Sequence, residues 1–195
     1  VPKSELDSWR NSMMYMHMAL VGDYGIPNDT GVCIEFTLPP TSKRIDFILT
    51  GSDEQNHKHA IIIELKQWSS VEVTDQDGIV RTALGGGVRE TTHPSYQALS
   101  YAQTLSSFNE AVYTKTVSVN ACAFTHNLTS SVEIRDQRYQ NYWKQAPVFL
   151  GTEIEELQDF IKRFIRKGDN GEALYLIQHG RIKPSKELAR ALSGM

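Results

Sequence analysis

The segment from Ala60 to Lys66 constrains the fold of this chain more than any other. It reads Ala-Ile-Ile-Ile-Glu-Leu-Lys, so it is β-branched and apolar on both faces until Glu64 and Lys66 interrupt it. A strand that is apolar on both faces is typical of the centre of an α/β sheet covered by helices. Side chains alternate along a strand, so Glu64 and Lys66 share one face. Two charged groups at the end of a buried strand are costly unless they are paired or bind a metal.

The remaining hydrophobic pattern predicts an α/β protein with a central mixed β-sheet flanked by helices. Strands are predicted over 31–38, 44–50, 60–68, 80–84, 117–125 and 148–150, and helices over 4–21, 94–108, 152–167 and 185–192, with a short helix within 132–144. A chain of 195 residues suits one domain. We expect residues 1–150 to form the core and residues 151–195 to form a C-terminal helical extension.

Composition excludes several classes of protein. With 40% hydrophobic and 22% charged residues the chain can build a core, and no apolar run approaches the roughly 20 residues of a membrane span. The net charge of −3 argues against a uniformly basic nucleic-acid coat protein, although it allows a local basic groove. Cys33 and Cys122 lie in apolar stretches without zinc spacing, which predicts buried free thiols in a cytoplasmic protein.

A hairpin brings a second acidic residue towards Glu64. Its turn lies near Gln55, with Asp46 nine residues before that point and Glu64 nine residues after it. In a symmetric register the two face each other with Cβ atoms about 4.5–5.5 Å apart. Carboxylates that close repel unless a proton or a cation lies between them, and Mg²⁺ or Mn²⁺ suits such oxygen ligands. The alternative is an ordinary surface hairpin with salt-linked charges, and a bulge would move Asp46 away from the pair.

The next predicted helix begins at Pro94 and carries two more polar side chains. Gln97 and Tyr101 are four residues apart and therefore share one helical face. Their polar ends could reach the same cleft as Glu64 and Lys66. The alternative interpretation is a half-exposed helix surface without a functional role.

In this order, the motifs resemble those of the PD-(D/E)xK nuclease superfamily, which has the restriction-endonuclease-like fold. Asp46 matches the first acidic position, although Ile45 stands where the motif has Pro. Glu64-Leu65-Lys66 matches the E-x-K element, and the segment from Gln97 to Tyr101 matches the Q-x-x-x-Y element of exonuclease and RecB-like branches.

The resemblance implies a Mg²⁺- or Mn²⁺-dependent deoxyribonuclease. Asp46, Glu64 and the Leu65 carbonyl would hold the metal, and Lys66 would position the attacking water. Gln97 and Tyr101 would orient the nucleic-acid strand or Lys66; the catalytic set is thus Asp46, Glu64, Lys66, Gln97 and Tyr101. In this superfamily an acid on the first helix often helps to hold the metal. Glu5 is the matching residue here, and a favourable interaction with the helix dipole is the alternative.

A closer resemblance covers nearly the whole chain. The runs Ser-Lys-Arg-Ile-Asp-Phe-Ile, Ile-Glu-Leu-Lys-Gln-Trp, His-Pro-Ser-Tyr-Gln-Ala and Ala-Phe-Thr-His-Asn are similar to the N-terminal module of bacterial nuclease–superfamily 1 helicase fusions. This implies a helicase domain in the same full-length chain and a role in DNA processing or phage defence. Because the sequence starts at Val1 and contains no G-x-x-x-x-G-K-[ST] motif, we expect it to be a fragment.

Basic residues near the predicted site are candidates for phosphate contacts, which give affinity without sequence readout. The candidate nucleic-acid-binding residues are Lys43, Arg44, Arg81, Arg89 and His93. A hydrogen bond at the helix start is the alternative role of His93. Glu35 is a further metal candidate, and Trp68 and Tyr96 are either base-stacking residues or packing residues.

The sequence leaves three functions open. The first is a nuclease acting on single- or double-stranded DNA. The second is a catalytically silent nuclease-fold module that binds DNA or docks to a helicase partner. The third is a metal-dependent hydrolase of another phosphodiester, such as RNA.

Overall fold

A computed structural model describes residues 3–22, 25–39 and 41–194; within 3–8, only the side chain of Asp7 is described. The helices are α1 (Lys3–Leu20), α2 (Pro94–Phe108), α3 (Glu110–Tyr113), α4 (Gln140–Trp143), α5 (Ile154–Phe164), α6 (Glu172–His179) and α7 (Lys186–Ser193), with a 3₁₀ turn at Gln137–Tyr139. The strands are β1 (Gly31–Thr37), β2 (Arg44–Ser52), β3 (Lys58–Lys66), β4 (Glu72–Val73), β5 (Ile79–Leu84), β6 (Gly87–Thr92), β7 (Val117–Thr125) and β8 (Val148–Leu150).

The main sheet has five strands in the order β1-β2-β3-β7-β8. The pairs β1–β2 and β2–β3 are antiparallel, whereas β3–β7 and β7–β8 are parallel. The predicted α/β class with a mixed sheet flanked by helices is therefore confirmed. The short strands β4, β5 and β6 form a separate antiparallel sheet.

Strand β3 lies at the centre of the sheet and is covered on both faces. Ile61 and Ile63 pack in one cluster with residues of α1 and α5, whereas Ala60 and Ile62 pack in another with residues of α2. Burying one such isoleucine side chain contributes about 1.5–3 kcal/mol. This two-sided burial is what the Ile-Ile-Ile run predicts, and it holds the end of β3 in a defined position.

The C-terminal helices belong to these same clusters. Leu157 and Ile161 of α5 pack with β3, and Ala173 and Ile177 of α6 pack with α2. Packing is therefore continuous across residue 150.

Helix α5 is shorter than the predicted 152–167. The chain becomes extended at Ile165, and the backbone N–H groups of Arg166 and Lys167 donate to the Ser52 carbonyl at the end of β2. These tertiary hydrogen bonds end the helix at Phe164, so Arg166 and Lys167 lie outside it. Helix α6 and strand β6 were not predicted from the pattern.

Both cysteines are free thiols, with Cys122 buried and Cys33 partly buried. Among the described helices, none combines the length and the apolar character needed to cross a bilayer.

Candidate functional site

The candidate site lies where β2 and β3 separate, at the carboxyl ends of the parallel strands β3 and β7. The β2–β3 pairing ends with Phe47 opposite Ile63, and Asp46 and Glu64 are the next residues along the two strands. This register agrees with the symmetric hairpin expected from the sequence. Beyond it, Asp46 Oδ2 accepts a hydrogen bond of 2.9 Å from the backbone N–H of Leu65. Asp46 thereby stays next to Glu64 while its strand diverges.

Glu64 is a buried carboxylate with only half of its hydrogen bonding satisfied. The side chain is 1% exposed, and Lys66 Nζ donates to Oε1 at 2.6 Å. The other oxygen, Oε2, is buried and has no hydrogen-bond partner. Burial raises the pKa of Glu64 to about 7; Lys66 opposes this effect and the negative charge of Asp46 adds to it.

Lys66 remains protonated in this environment. Burial alone would lower the pKa of its ammonium group, but Glu64, together with Asp46 and Tyr101, outweighs burial and the pKa is raised. Lys66 Nζ also lies 5.6 Å from the centroid of the Trp68 ring. The site therefore presents a permanent positive charge beside two acidic groups.

Gln97 and Tyr101 extend the site from helix α2. Gln97 Nε2 donates a hydrogen bond of 2.7 Å to Tyr101 Oη. Burial, followed by the negative charge of Glu64, raises the pKa of the Tyr101 phenol. Since α2 covers the face of the sheet that carries Glu64 and Lys66, the predicted polar pair lies beside the predicted charges.

A cleft of about 420 Å³ opens above Asp46. We call it the Asp46 cleft; it is lined by Trp9, Ser12 and Met13 of α1, by Glu35, Ser42 and Arg44, and by Asp46 and Leu65 at its base. Substrate-sized ligands occupy pockets of roughly 300–1,000 Å³, so the volume suits a small ligand or one unit of a polymer.

Glu35, a further metal candidate from the sequence, lines the Asp46 cleft. It lies between the paired residues Ile34 and Phe36, which places it across from Asp46 in the β1–β2 register. Its backbone has φ 55°, a left-handed conformation that non-glycine residues seldom adopt and that is enriched at functional sites. Its carboxylate pairs with Arg44 Nη1 at 3.2 Å.

A second polar pair supports the cleft from beneath α1. Ser12 Oγ lies 2.9 Å from Nε2 of the buried His126, whose Nδ1 is buried without a partner. The His126 ring stacks on Tyr15 with centroids 4.5 Å apart, and its backbone N–H donates to the Lys66 carbonyl. Burial lowers the pKa of His126 to about 4, so the ring is neutral at pH 7. Ser12 and His126 are 114 positions apart in the chain, so no local pattern predicts this contact.

The predicted nucleic-acid contacts separate into two groups. Lys43 and Arg44 are both exposed. Arg44 lines the Asp46 cleft, whereas Lys43 does not. Arg81 and Arg89 belong to the second sheet, where Arg81 pairs with Glu90 at 2.9 Å and with Glu72 at 3.7 Å. Neither lines the Asp46 cleft.

His93 is not available for a phosphate, contrary to its inclusion among the candidate contacts. It is fully buried, its Nδ1 accepts from the backbone N–H of Ser95, and its Nε2 lies 2.8 Å from the Ile134 carbonyl. Its role is to cap the start of α2. Trp68 is likewise a core residue, whereas Tyr96 is exposed and packs edge-on against Tyr142 outside the cleft. Glu5 lies in α1, and its side chain is outside the described residues.

The residues present fit a magnesium-type ion. Within the described part of the chain no group of three or more His, Cys, Asp or Glu side chains is placed to share a metal. Mg²⁺ does not need such a group, because it is commonly bound by one or two carboxylates, with water and substrate phosphate completing the shell. The unpartnered Oε2 of Glu64 next to Asp46 is a donor set of this kind.

A larger groove, of about 700 Å³, lies at the other end of the sheet. It is formed around the start of β7 and helix α7 and is lined by Lys115, Lys186 and Arg190 among others. It contains neither Asp46 nor Glu64, so size alone does not identify the candidate site.

Comparisons of this chain with protein-family models, with curated proteins and with solved structures found no match.

Proposed function

We propose that this chain is a metal-dependent nuclease of restriction-endonuclease-like fold that hydrolyses phosphodiester bonds of DNA. The observation that carries the proposal is the buried Glu64, which has Asp46 beside it, Lys66 on one oxygen and no partner on the other. A structural ion pair does not need the second acid or the open oxygen. Perturbed carboxylates with specific partners near a cleft are typical of functional sites.

Asp46, Glu64 and the Leu65 carbonyl are the groups that would hold Mg²⁺ or Mn²⁺. When bound, such an ion polarises the scissile phosphate and lowers the pKa of a coordinated water. The ion would also offset the charge that Asp46 places near Glu64, which otherwise raises the pKa of Glu64 and favours its protonated form.

Lys66 acts as a donor and not as a base. Its ammonium group stays charged, so it can hold a phosphate oxygen or orient the attacking water by donating hydrogen bonds. Burial of the Lys66–Glu64 pair strengthens these interactions, since electrostatic forces are less screened away from water. Tyr101 Oη accepts from Gln97 and keeps its own hydrogen for a further acceptor, which makes the two residues positioning groups.

The experiment is cleavage of labelled single-stranded DNA, duplex DNA and RNA in Mg²⁺ or Mn²⁺. The wild-type chain is compared with Glu64→Gln and Lys66→Met, and with Glu54→Gln, an exposed acid in the β2–β3 turn, as the matched control. We expect about 100-fold or greater loss of cleavage in the two site variants, as for removal of a charge-stabilising donor, and no change in the control. Equal cleavage by all four chains would exclude this site.

A readout independent of activity is the melting temperature during a Mn²⁺ titration. A cation bound only by the folded chain raises it, and we expect the increase to disappear in Asp46→Asn and Glu64→Gln. Absence of both the increase and the cleavage would favour the silent module that binds DNA or a helicase. RNA cleavage without DNA cleavage would identify the third candidate. The helicase domain in the same full-length chain and a role in DNA processing or phage defence are proposals that rest on the sequence resemblance, and a cytoplasmic location is a proposal that rests on the free cysteines.

A further inference from the structure

Helix α1 places a tryptophan at the mouth of the Asp46 cleft. Trp9 is one helical turn before Met13, which packs against the core that α1 shares with β3. The protein-facing side of α1 therefore continues past the core to Trp9, which lines the cleft and remains 45% exposed. The indole of Trp9 thus adds an accessible aromatic surface to the lining of the cleft, and such a surface can bury apolar area against a flat ligand.

The other two tryptophans are used differently. Trp68 is 5% exposed within the core, and the indole N–H of Trp143 donates to the Asp136 carbonyl at 3.1 Å. Among the three, Trp9 alone lines the cleft that contains Asp46.

Arg44, a cation, lines the same cleft as Trp9. Arg44 pairs with Glu35, but the two side chains are 54% and 48% exposed. An ion pair so exposed contributes little free energy, so Arg44 can turn to a phosphate at small cost. Proteins that bind single strands combine aromatic rings, on which bases stack, with Lys or Arg side chains that contact the backbone, and the Asp46 cleft contains one group of each kind.

We propose that the Asp46 cleft takes one unpaired nucleotide of a single-stranded nucleic acid, with its base stacked on Trp9 and its phosphate near Arg44 and Asp46. Glu64 and Lys66 do not line this cleft; they adjoin it through Asp46, which is hydrogen-bonded to the Leu65 backbone between them. The inference rests on the proposed function for the identity of the ligand and adds the substrate class. A base within a duplex is already stacked on both faces and reaches a protein ring only after it is unstacked. The cleft of about 420 Å³ is of the size for one nucleotide and not for a stacked pair of strands.

The test is binding of a fluorescent single-stranded oligonucleotide and of the matching duplex in EDTA, where metal-dependent cleavage is absent. The chains are wild type, Trp9→Ala, Trp9→Phe and Met14→Ala; Met14 is 55% exposed on α1 and does not line the cleft. We expect Trp9→Ala to weaken single-strand binding about 5- to 150-fold, the range for loss of one base–aromatic stack. Trp9→Phe should retain most of the affinity, Met14→Ala all of it, and duplex binding should change little.

Indole fluorescence gives a second measurement, which is valid even if the Trp9→Ala variant does not fold. Single-strand binding should quench emission in the wild-type chain and not in Trp9→Phe, because Trp9 is the indole in the cleft. The proposal is overturned if single-strand binding is absent, if Trp9→Ala and wild type bind the single strand equally, or if Trp9→Ala loses single-strand and duplex binding to the same extent.

The two proposals fail separately. If cleavage requires Glu64 while strand preference does not depend on Trp9, the substrate-class inference fails and the nuclease proposal stands. If Trp9 selects single strands in EDTA while Glu64→Gln leaves any cleavage unchanged, the nuclease proposal fails.

Discussion

Lys66 Nζ lies 2.6 Å from Oε1 of Glu64, while Oε2 of the same buried carboxylate has no hydrogen-bond partner. One oxygen of the Glu64 carboxylate thus has a hydrogen-bond donor and the other has none. A buried carboxylate in this state is sensitive to the loss of its cation, to pH and to any ion that can occupy the open side.

Replacing Lys66 with Met should destabilise the fold. At pH 8 we expect the free energy of unfolding to fall by about 3–5 kcal/mol, because Glu64 is left as an unpaired buried charge or must take up a proton. At pH 5 the loss should be much smaller, since Glu64 is already protonated in the folded chain. Urea unfolding of the wild-type chain and of Lys66→Met at both pH values measures this loss of unfolding free energy. Lys58→Met is the control at the other end of β3; its exposed pair with Glu172 should contribute no more than about 1 kcal/mol.

Glu64→Gln should change how stability depends on pH. The folded pKa of Glu64 is raised from 4.5 to about 7, so the folded chain keeps a proton that the unfolded chain releases in this window. The contribution of Glu64 to stability is complete below about pH 4.5 and decreases by on the order of 3 kcal/mol as pH rises to 7. The difference in unfolding free energy between wild type and Glu64→Gln in EDTA should follow this slope. A difference independent of pH would contradict the proposed environment of Glu64.

His93 should have the opposite pH dependence. Burial lowers its pKa from 6.5 to about 4, so its contribution to stability is present above pH 6.5 and is lost as pH falls through 4. The loss should be on the order of 3 kcal/mol. His93→Asn keeps an acceptor at the helix cap and removes the titration, and should therefore lose less stability than wild type between pH 6.5 and 4.

The Ser12–His126 contact can be tested by a double-mutant cycle. Ser12→Ala leaves both ring nitrogens of His126 buried without partners and should cost about 1–3 kcal/mol of stability. His126→Phe in the Ser12→Ala background replaces both polar groups with apolar ones of similar shape, so most of that loss should be recovered. Additive effects of the two substitutions would show that the hydrogen bond does not contribute.

The two thiols should react differently with a thiol reagent. Cys122 is fully buried and its pKa is raised strongly by burial, whereas Cys33 is partly buried and its pKa is raised by a partial loss of solvent. The native chain should titrate slowly to one equivalent, and the chain in urea should titrate quickly to two. Two fast equivalents in the native state would contradict the burial of Cys122.

The central part of the fold follows from local pattern. The Ile61–Ile63 run predicts a strand buried on both faces, and Pro94 predicts the start of α2. Equal spacing of Asp46 and Glu64 about Gln55 predicts a register that agrees with the observed pairing of Phe47 with Ile63. These features depend on periodicity, on turn position and on the residues nearest in the chain, which the sequence contains directly.

The surroundings of the site depend on tertiary packing. The sequence left two roles open for His93, a phosphate contact and a hydrogen bond at the helix start, and burial against the Ile134 carbonyl decided for the second. Trp9, Glu35 and His126 meet the site only because α1, β1 and the end of β7 converge there. The sequence by itself determined the central strands and the three charged groups that they carry, since alternation and register are local properties. The tertiary structure decided which side chains line the cleft that contains Asp46, because contacts between distant segments depend on how helices pack on both faces of the sheet.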